Sequence, residues 1–285
     1  VSVVMISLAP LLLSFTSPLV LSIYILSLGI THTFLDAIPS IYLGAPDEGK
    51  ALSALPGHRL LLQGLGHRAI LYTTLGALGS LILGAVLFPF FIYIMDYLAP
   101  TVQSIVGYLL IVVVVYMAGR EKGRRLKTIA IIFFAGVLGI VVFQISNLEQ
   151  PLFHLLSGLF GLSLLVMSVG ENTTVTAQLF HAPLTLSRTN SVKAVTSATG
   201  VGFIAAFLPG FGSSQAAILA TNVVGDIGDE GFLALVGGIN TANVLLSIAA
   251  VYVLDKARNG AIVTVQSFLG DVSFEVMMIF LGCAL

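Results

Sequence analysis

The chain reads as long apolar runs separated by short polar breaks, with almost none of the strict alternation that a half-buried strand needs. Apolar runs occupy 69–98, 101–119, 128–146, 152–170 and 232–254. Even the shortest covers ~28 Å as a helix at 1.5 Å per residue, close to the ~30 Å of a hydrocarbon core, so each is predicted to be a transmembrane helix. Residues 1–30 carry no charge and are interrupted by Pro10 and Pro18, which predicts one long or two short crossings. The stretch 261–285 is interrupted by Asp271 and Glu275 and predicts either a crossing or a dip. The expected fold class is all-α: a polytopic transmembrane helix bundle with broken or re-entrant helices and a two-repeat architecture.

The break that carries most information lies inside the apolar segment 194–222. There the sequence Phe207-Leu-Pro-Gly-Phe-Gly-Ser-Ser-Gln215 gathers helix breakers, hydroxyls and an amide. In hydrocarbon no water satisfies a freed N–H or C=O, so such backbone must be buried in protein or line a wet cavity. Pro209 removes a helical hydrogen bond, while Gly210 and Gly212 permit close backbone approach. Ser213, Ser214 and Gln215 then offer donors at the N-terminal end of a new half-helix, where an anion is favoured. Pro209, Gly210, Phe211, Gly212, Ser213, Ser214 and Gln215 are therefore candidate substrate-binding residues; a simple proline kink packed by small residues is the alternative.

Two further clusters carry polar chemistry. Asn240 and Asn243 are three apart, share a helix face, and could complete a site for a cation or a carboxylate, or bond between helices. His32 and Asp36 lie four apart and form a candidate ion-coupling pair, since an ionisable residue held in a membrane is costly and by default functional. Gly57, His58 and Arg59 are placed at the cytoplasmic mouth, where a guanidinium either steers an anion or anchors the chain end.

Composition agrees with the pattern. Apolar residues make up 57% and charged residues 9%, against roughly 25% charged in a soluble domain, and the mean hydropathy is +1.06. A net charge of -1 argues against nucleic acid as a partner. The single cysteine, Cys283, lies in an apolar run; it excludes an internal disulfide or a cysteine metal site and is read as packing. The chain opens on Val1 with no basic n-region and stops inside an apolar run, so it is expected to be a fragment of a longer protein. The expected organisation is a single integral membrane domain over 1–285, with 1–119 the remainder of a first repeat, 120–127 a basic cytoplasmic loop, and 128–285 a second repeat region incomplete at its C-terminus.

Charge suggests an orientation. If the segments alternate as assigned, the connections holding Lys50, Arg59 and Arg68, the 120–127 cluster, Arg188 and Lys193, and Lys256 and Arg258 all fall on one face. The carboxylate-bearing connections near Asp96, Glu149 and 225–230 fall on the other. The positive-inside bias would make the basic face cytoplasmic in the cell membrane. On this scheme 194–222 must make one net crossing.

An internal echo joins Gly29-Ile-Thr-His-Thr-Phe34 to Gly238-Ile-Asn-Thr-Ala-Asn243, each followed by an aliphatic-Tyr pair, at Ile41-Tyr42 and Val251-Tyr252. Catalytic patterns are missing: no paired aspartates of the intramembrane aspartyl type, no Gly-x-Ser-Gly with a later histidine, no His-Glu-x-x-His and no phosphate-binding loop. An enzyme is not expected, and no metal or organic cofactor is called for.

The segment Ile38-Pro-Ser-Ile-Tyr-Leu-Gly-Ala-Pro-Asp47, with Ala54-Leu-Pro-Gly-His-Arg-Leu60 and Gly64-Leu-Gly-His-Arg-Ala69, resembles the large permease subunit of tripartite tricarboxylate transporters, in its archaeal-type branch. Gly202-Phe-Ile-Ala-Ala-Phe-Leu-Pro-Gly-Phe-Gly-Ser213, followed by Leu235-Val-Gly-Gly-Ile-Asn240, resembles that family's Pro-Gly re-entrant motif. The resemblance implies a secondary transporter of two repeats that moves organic carboxylates with a coupling ion, sodium or a proton. It supports Pro209, Gly210 and Gly212 as the re-entrant element and marks Pro56, Gly57 and His58 as motif positions. It implies a first Pro-Gly copy upstream of Val1. The bacterial systems add a small membrane subunit and an extracytoplasmic binding protein, candidate partners that archaeal-type members need not have. Membrane lipid, a small anionic substrate and a second copy of the chain in a homo-oligomer complete the expected partners. The competing readings are a polyprenyl-phosphate or other anionic lipid transporter and a membrane scaffold whose breakers only pack.

Overall fold

The computed structural model describes residues 11–42, 54–120, 125–145, 166, 176–181, 183–207, 213–255, 257 and 259–285. In chain order the helices are α1 (Pro18–Leu35), α2 (Ala37–Tyr42), α3 (Ala54–Leu62), α4 (Gly66–Val86), α5 (Phe88–Arg120), α6 (Arg125–Phe143), α7 (Arg188–Phe207), α8 (Ser213–Val224), α9 (Gly228–Leu254), α10 (Gly260–Leu269) and α11 (Phe274–Ala284). No strand occurs among the described residues. By length and composition four stretches can cross a membrane: Pro18–Tyr42, Gly66–Val86, Leu126–Phe143 and Gly228–Leu254.

Local chemistry sets several of these boundaries. Pro18 opens α1 at a position where a missing N–H costs nothing, and the Ser17 hydroxyl accepts from the Val20 N–H. The apolar run predicted at 69–98 instead splits at Leu87, between α4 and α5. Pro89, second in α5, belongs in a first turn and disfavours continuation of the preceding helix. α5 then runs unbroken for 33 residues, taking in Pro100 and the run predicted separately at 101–119. The run 152–170 lies outside the described residues apart from Val166. The C-terminal stretch forms two helices of 10 and 11 residues, each ~15 Å long and too short to cross alone. Asn259 and Ser273 cap them, and Gly270 takes a φ of 65° between them.

The chain divides into two compact units, residues 1–103 with 175–285, and residues 104–174. The second unit contains α6, whose described side chains are exposed along nearly its whole length. In the first unit α9 is the hub, packed against α4 and α7 along a seam of small residues. A Cβ on Gly76 would overlap the Ala234 carbonyl oxygen, and one on Gly237 would overlap that of Thr73. A Cβ on Gly202 would come 2.6 Å from the Ala242 Cβ. Without a hydrophobic drive between helices in lipid, this close backbone approach supplies the dispersion contact that holds the three together.

Pairings along the seam give the helix directions. Tyr72 packs in one cluster with Leu233, Gly238 meets Ser80 and Ala198, and Gly202 meets Ala242. α4, α7 and α9 therefore run the same way from the same end of the bundle. α8 begins with Ser213 against Asn240 and leads through Gly225–Ile227 into Gly228, the start of α9. α7 and α8 thus form a re-entrant hairpin that leaves and returns at one end, rather than the net crossing expected for 194–222. A stack of Phe91, Phe203 and Phe207, with ring centroids 4.6 and 6.0 Å apart, braces α7 on α5 near its turning point.

This arrangement also overturns the segregation of basic and acidic connections. Arg59 Nη2 bonds Asp229 Oδ1 at 3.2 Å, so the 225–230 connection shares an end with Arg59. α9 then carries the chain ~40 Å away, so the connection after Leu254, with Asp255, Ala257 and Asn259, lies at the opposite end. Lys256 and Arg258 themselves lie outside the described residues. The cause is the hairpin: one fewer crossing inverts the side of everything that follows it.

Candidate functional site

The junction of α1 and α2 is a single residue, Asp36. Its N–H still donates to the His32 carbonyl at 2.9 Å and its own carbonyl accepts from Ser40 Oγ at 2.8 Å, so the chain barely leaves the helical path. Asp36 as a whole is only 4% exposed. It accepts from Asn240 Nδ2 at 2.7 Å, while Asn240 Oδ1 accepts from Ser213 Oγ at 3.3 Å. One turn before Asp36, the Thr33 hydroxyl pairs with that of Thr241 at 2.8 Å. One of the two hydroxyls supplies the proton of that bond, so only the other can at the same time donate to its own helix, Thr33 to the Ile30 carbonyl or Thr241 to the Gly237 carbonyl.

Depth follows from helix geometry. Asn240 lies ~18 Å along α9 from Gly228 and ~21 Å from Leu254, near the middle of a membrane-spanning helix. Ser213 is the first residue of α8, so this half-helix turns its N-terminal end toward the same level. Such an end favours an anion, whereas the carboxylate, hydroxyl and amide oxygens beside it suit a proton or a hard cation. Asn240 touches both sets. The two segments of the internal echo, 29–34 and 238–243, meet here through Thr33 and Thr241.

The other sequence candidates are distributed as follows. Pro209, Gly210, Phe211 and Gly212 lie outside the described residues; Ser214 and Gln215 belong to α8, with side chains outside them. The backbone of Asn243 faces α7, where a Cβ on Gly202 would lie 3.3 Å from its nitrogen, and no hydrogen bond among the described residues joins its amide to Asp36 or Asn240. His32 is half-buried and meets Asp36 through the backbone bond. Gly57 is buried beneath Ile41, where a Cβ would come 2.7 Å from Cγ1, so its smallness lets α3 close on α2. His58 keeps Nδ1 buried with no hydrogen-bond partner among the described residues, and Arg59 is exposed in its ion pair with Asp229.

One buried group escaped sequence reading. Arg68 was taken for a basic flank, yet it is 9% exposed and bonded to Tyr72 and Thr185. The signal was its spacing, since Arg68 and Tyr72 are four apart on one helix face.

A multi-spanning bundle whose broken hairpin meets a buried carboxylate at mid-depth is the construction of a membrane transporter with discontinuous helices. The chain belongs to the Tripartite tricarboxylate transporter TctA family, whose profile matches residues 1–277. It is 26% identical over 257 residues to an uncharacterized protein of Methanocaldococcus jannaschii, covering 88% of this chain and 64% of that protein. The chain thus spans 64% of the length of this relative, and the match to an archaeal protein accords with the archaeal-type branch. No solved structure matches it. The family it belongs to is one of transporters.

Proposed function

We propose that the chain forms the substrate and ion site of a secondary-active permease for an organic carboxylate, driven by a sodium or proton gradient. The observation that carries this reading is the double engagement of Asn240, which donates to Asp36 and accepts from Ser213 at mid-depth in the bundle. A cation or proton arriving at Asp36 competes for the Asn240 amide. The amide's orientation in turn bears on Ser213 at the half-helix end, where the substrate carboxylate is received. Ion and anion therefore act on one side chain, which is the differential contact that coupling requires.

The end of the bundle that carries Arg59, Arg68, Arg188 and Lys193 is assigned to the cytoplasm of a cell-membrane protein. Orientation follows Lys and Arg, and Asp229 and Glu230 at the same end contribute little to it. A small membrane subunit, a binding protein and a second copy of the chain belong to this proposal as candidate partners, by the tripartite character of the family.

The test is thermal stability of the purified full-length protein in detergent with di- and tricarboxylates, each with and without sodium. A bound ligand at ~100 times its Kd adds ~2.7 kcal/mol. The native protein should be stabilised by a carboxylate, and Ser213→Ala and Asp36→Asn should each lose part of that gain. Equal stabilisation in both variants would remove the site from this position.

A further inference from the structure

Arg68 stands in the first turn of α4, at the end of the bundle where α9 begins. Burial of a guanidinium there is costly unless its donors are matched. Nη2 donates to Tyr72 Oη at 2.8 Å and to the Thr185 hydroxyl. Tyr72 Oη also accepts the Thr185 N–H at 3.0 Å, and the guanidinium carbon lies 5.7 Å from the Tyr72 ring centroid. Thr185 Oγ1 in turn donates to Glu230 Oε1 at 3.2 Å, near the start of α9. Thr185 is thus the link between the cation on α4 and the carboxylate on α9. Nε of Arg68 is buried and has no hydrogen-bond partner among the described residues.

The residue in the middle of this cluster belongs to the segment 176–187 that leads into α7. The segment is fastened at its start as well: Gln178 Oε1 accepts from the Gly66 N–H at 2.8 Å and the Leu179 N–H donates to the Gly64 carbonyl at 2.8 Å. Near its end, Leu186 packs against the buried cluster that includes Ala69, Tyr72 and Leu233. Two residues later α7 begins, the first arm of the hairpin.

We propose that this cluster is a second carboxylate-binding site, one that unlatches the base of the hairpin. It rests on the carboxylate-transport reading above and gives that substrate an entry contact at the end of the bundle. A carboxylate binds arginine side-on through Nε and Nη2. Nε is unpartnered, and Nη2 is held by two hydroxyls that are weaker acceptors than a carboxylate. The incoming anion takes both nitrogens in place of Thr185. Thr185 then no longer joins Arg68 to Glu230, and the segment through Leu186 is released from α4 and α9. Lysine cannot make the same two-pronged contact.

The experiment uses the full-length protein with Cys283→Ala and Leu186→Cys, and follows the rate of maleimide labelling with and without citrate, and in parallel succinate. Thermal stability is recorded on the same samples. Citrate or succinate should raise labelling about fivefold or more, the lower end of a typical coupling between sites. Arg68→Lys should abolish that rise while keeping carboxylate-dependent stabilisation from the mid-depth site. Thr185→Val should raise labelling without any anion, which keeps the test open should Arg68→Lys fail to fold. Stabilisation by a carboxylate with no change in labelling overturns the latch and leaves the transport reading intact. Absence of stabilisation by either acid removes the transport reading, and the latch's ligand with it.

Discussion

α9 and α6 are both long, apolar and able to cross a membrane, yet 78% of the window that qualifies α9 is buried and none of that of α6 is. Both contain closely spaced glycines, Gly237 and Gly238 in one and Gly136 and Gly139 in the other. At Gly237 the Thr73 backbone fills the space a side chain would need; at Gly136 and Gly139 no other element among the described residues comes within 4 Å of that position. Apolar length therefore specifies only that a helix suits lipid. Whether it packs depends on a partner with a matching row of small residues, and α4 and α7 supply those to α9. Polar residues follow the same division: α9 places Asn240, Thr241 and Ser247 among neighbouring helices, whereas the exposed face of α6 is made of Ile, Phe, Val and Leu.

The sharpest way to break this contrast is to thicken the seam. Gly76→Val adds a branched side chain where even a Cβ would overlap the Ala234 backbone, which cannot move as the end of a flexible side chain can. Overpacking costs ~1–3 kcal/mol where neighbours can yield, and here the helices themselves must separate. Folded, monodisperse protein should be lost from size-exclusion profiles. Gly76→Ala should fold with a clearly lowered Tm, and a native Tm for it would show that α4 and α9 do not meet at this point.

Next in size is a change that leaves the seam intact and removes only its charge. Asp36→Asn preserves an acceptor for Asn240 Nδ2 and removes the titratable group. Ion-driven uptake of carboxylate into proteoliposomes should fall by ~5–150-fold, the range of coupling between two sites. Uptake at the native level with its ion dependence intact would separate Asp36 from the coupling step.

How much of this was readable in advance depends on the range of the interaction. The run 232–254 lies inside α9, and Pro18, read as an interruption, opens α1, because apolar runs and helix breakers act locally. The helix break also showed, with α7 ending at Phe207 and α8 starting at Ser213. The direction of α8 did not, since a broken helix that continues and one that returns have the same local sequence. That one ambiguity inverted the side assigned to 225–230 and to the connection after Leu254. Asp36, Asn240 and Ser213 each stood out as polar residues in apolar surroundings. Their meeting did not, because Asp36 and Asn240 are 204 positions apart. Arg68 was misplaced for a related reason: a basic residue beside a predicted span reads as an interfacial anchor until Thr185, 117 positions on, covers it.

A smaller effect tests the end of the bundle, where both partners face water. The side chains of Arg59 and Asp229 are 63% and 45% exposed, and an ion pair so placed contributes ~0–1 kcal/mol after solvent screening. Arg59→Gln should lower Tm only slightly. A double-mutant cycle with Asp229→Asn should return a small coupling that shrinks further at high salt.

The smallest change falls on α6. Gly139→Ala adds a methyl group where no other element among the described residues lies within 4 Å, so no overlap with them opposes it, and the gain in helix propensity is at most ~1 kcal/mol. Tm should stay level or rise a little, opposite in sign to Gly76→Ala on the seam. The pair of alanine variants thus measures the same chemical change with and without a facing backbone, and their difference isolates the packing term from propensity, which is common to both. A fall at Gly139 as deep as that at Gly76 would mean that this face of α6 is covered by another element in the assembled protein, and that the contrast between the two helices belongs to this chain alone.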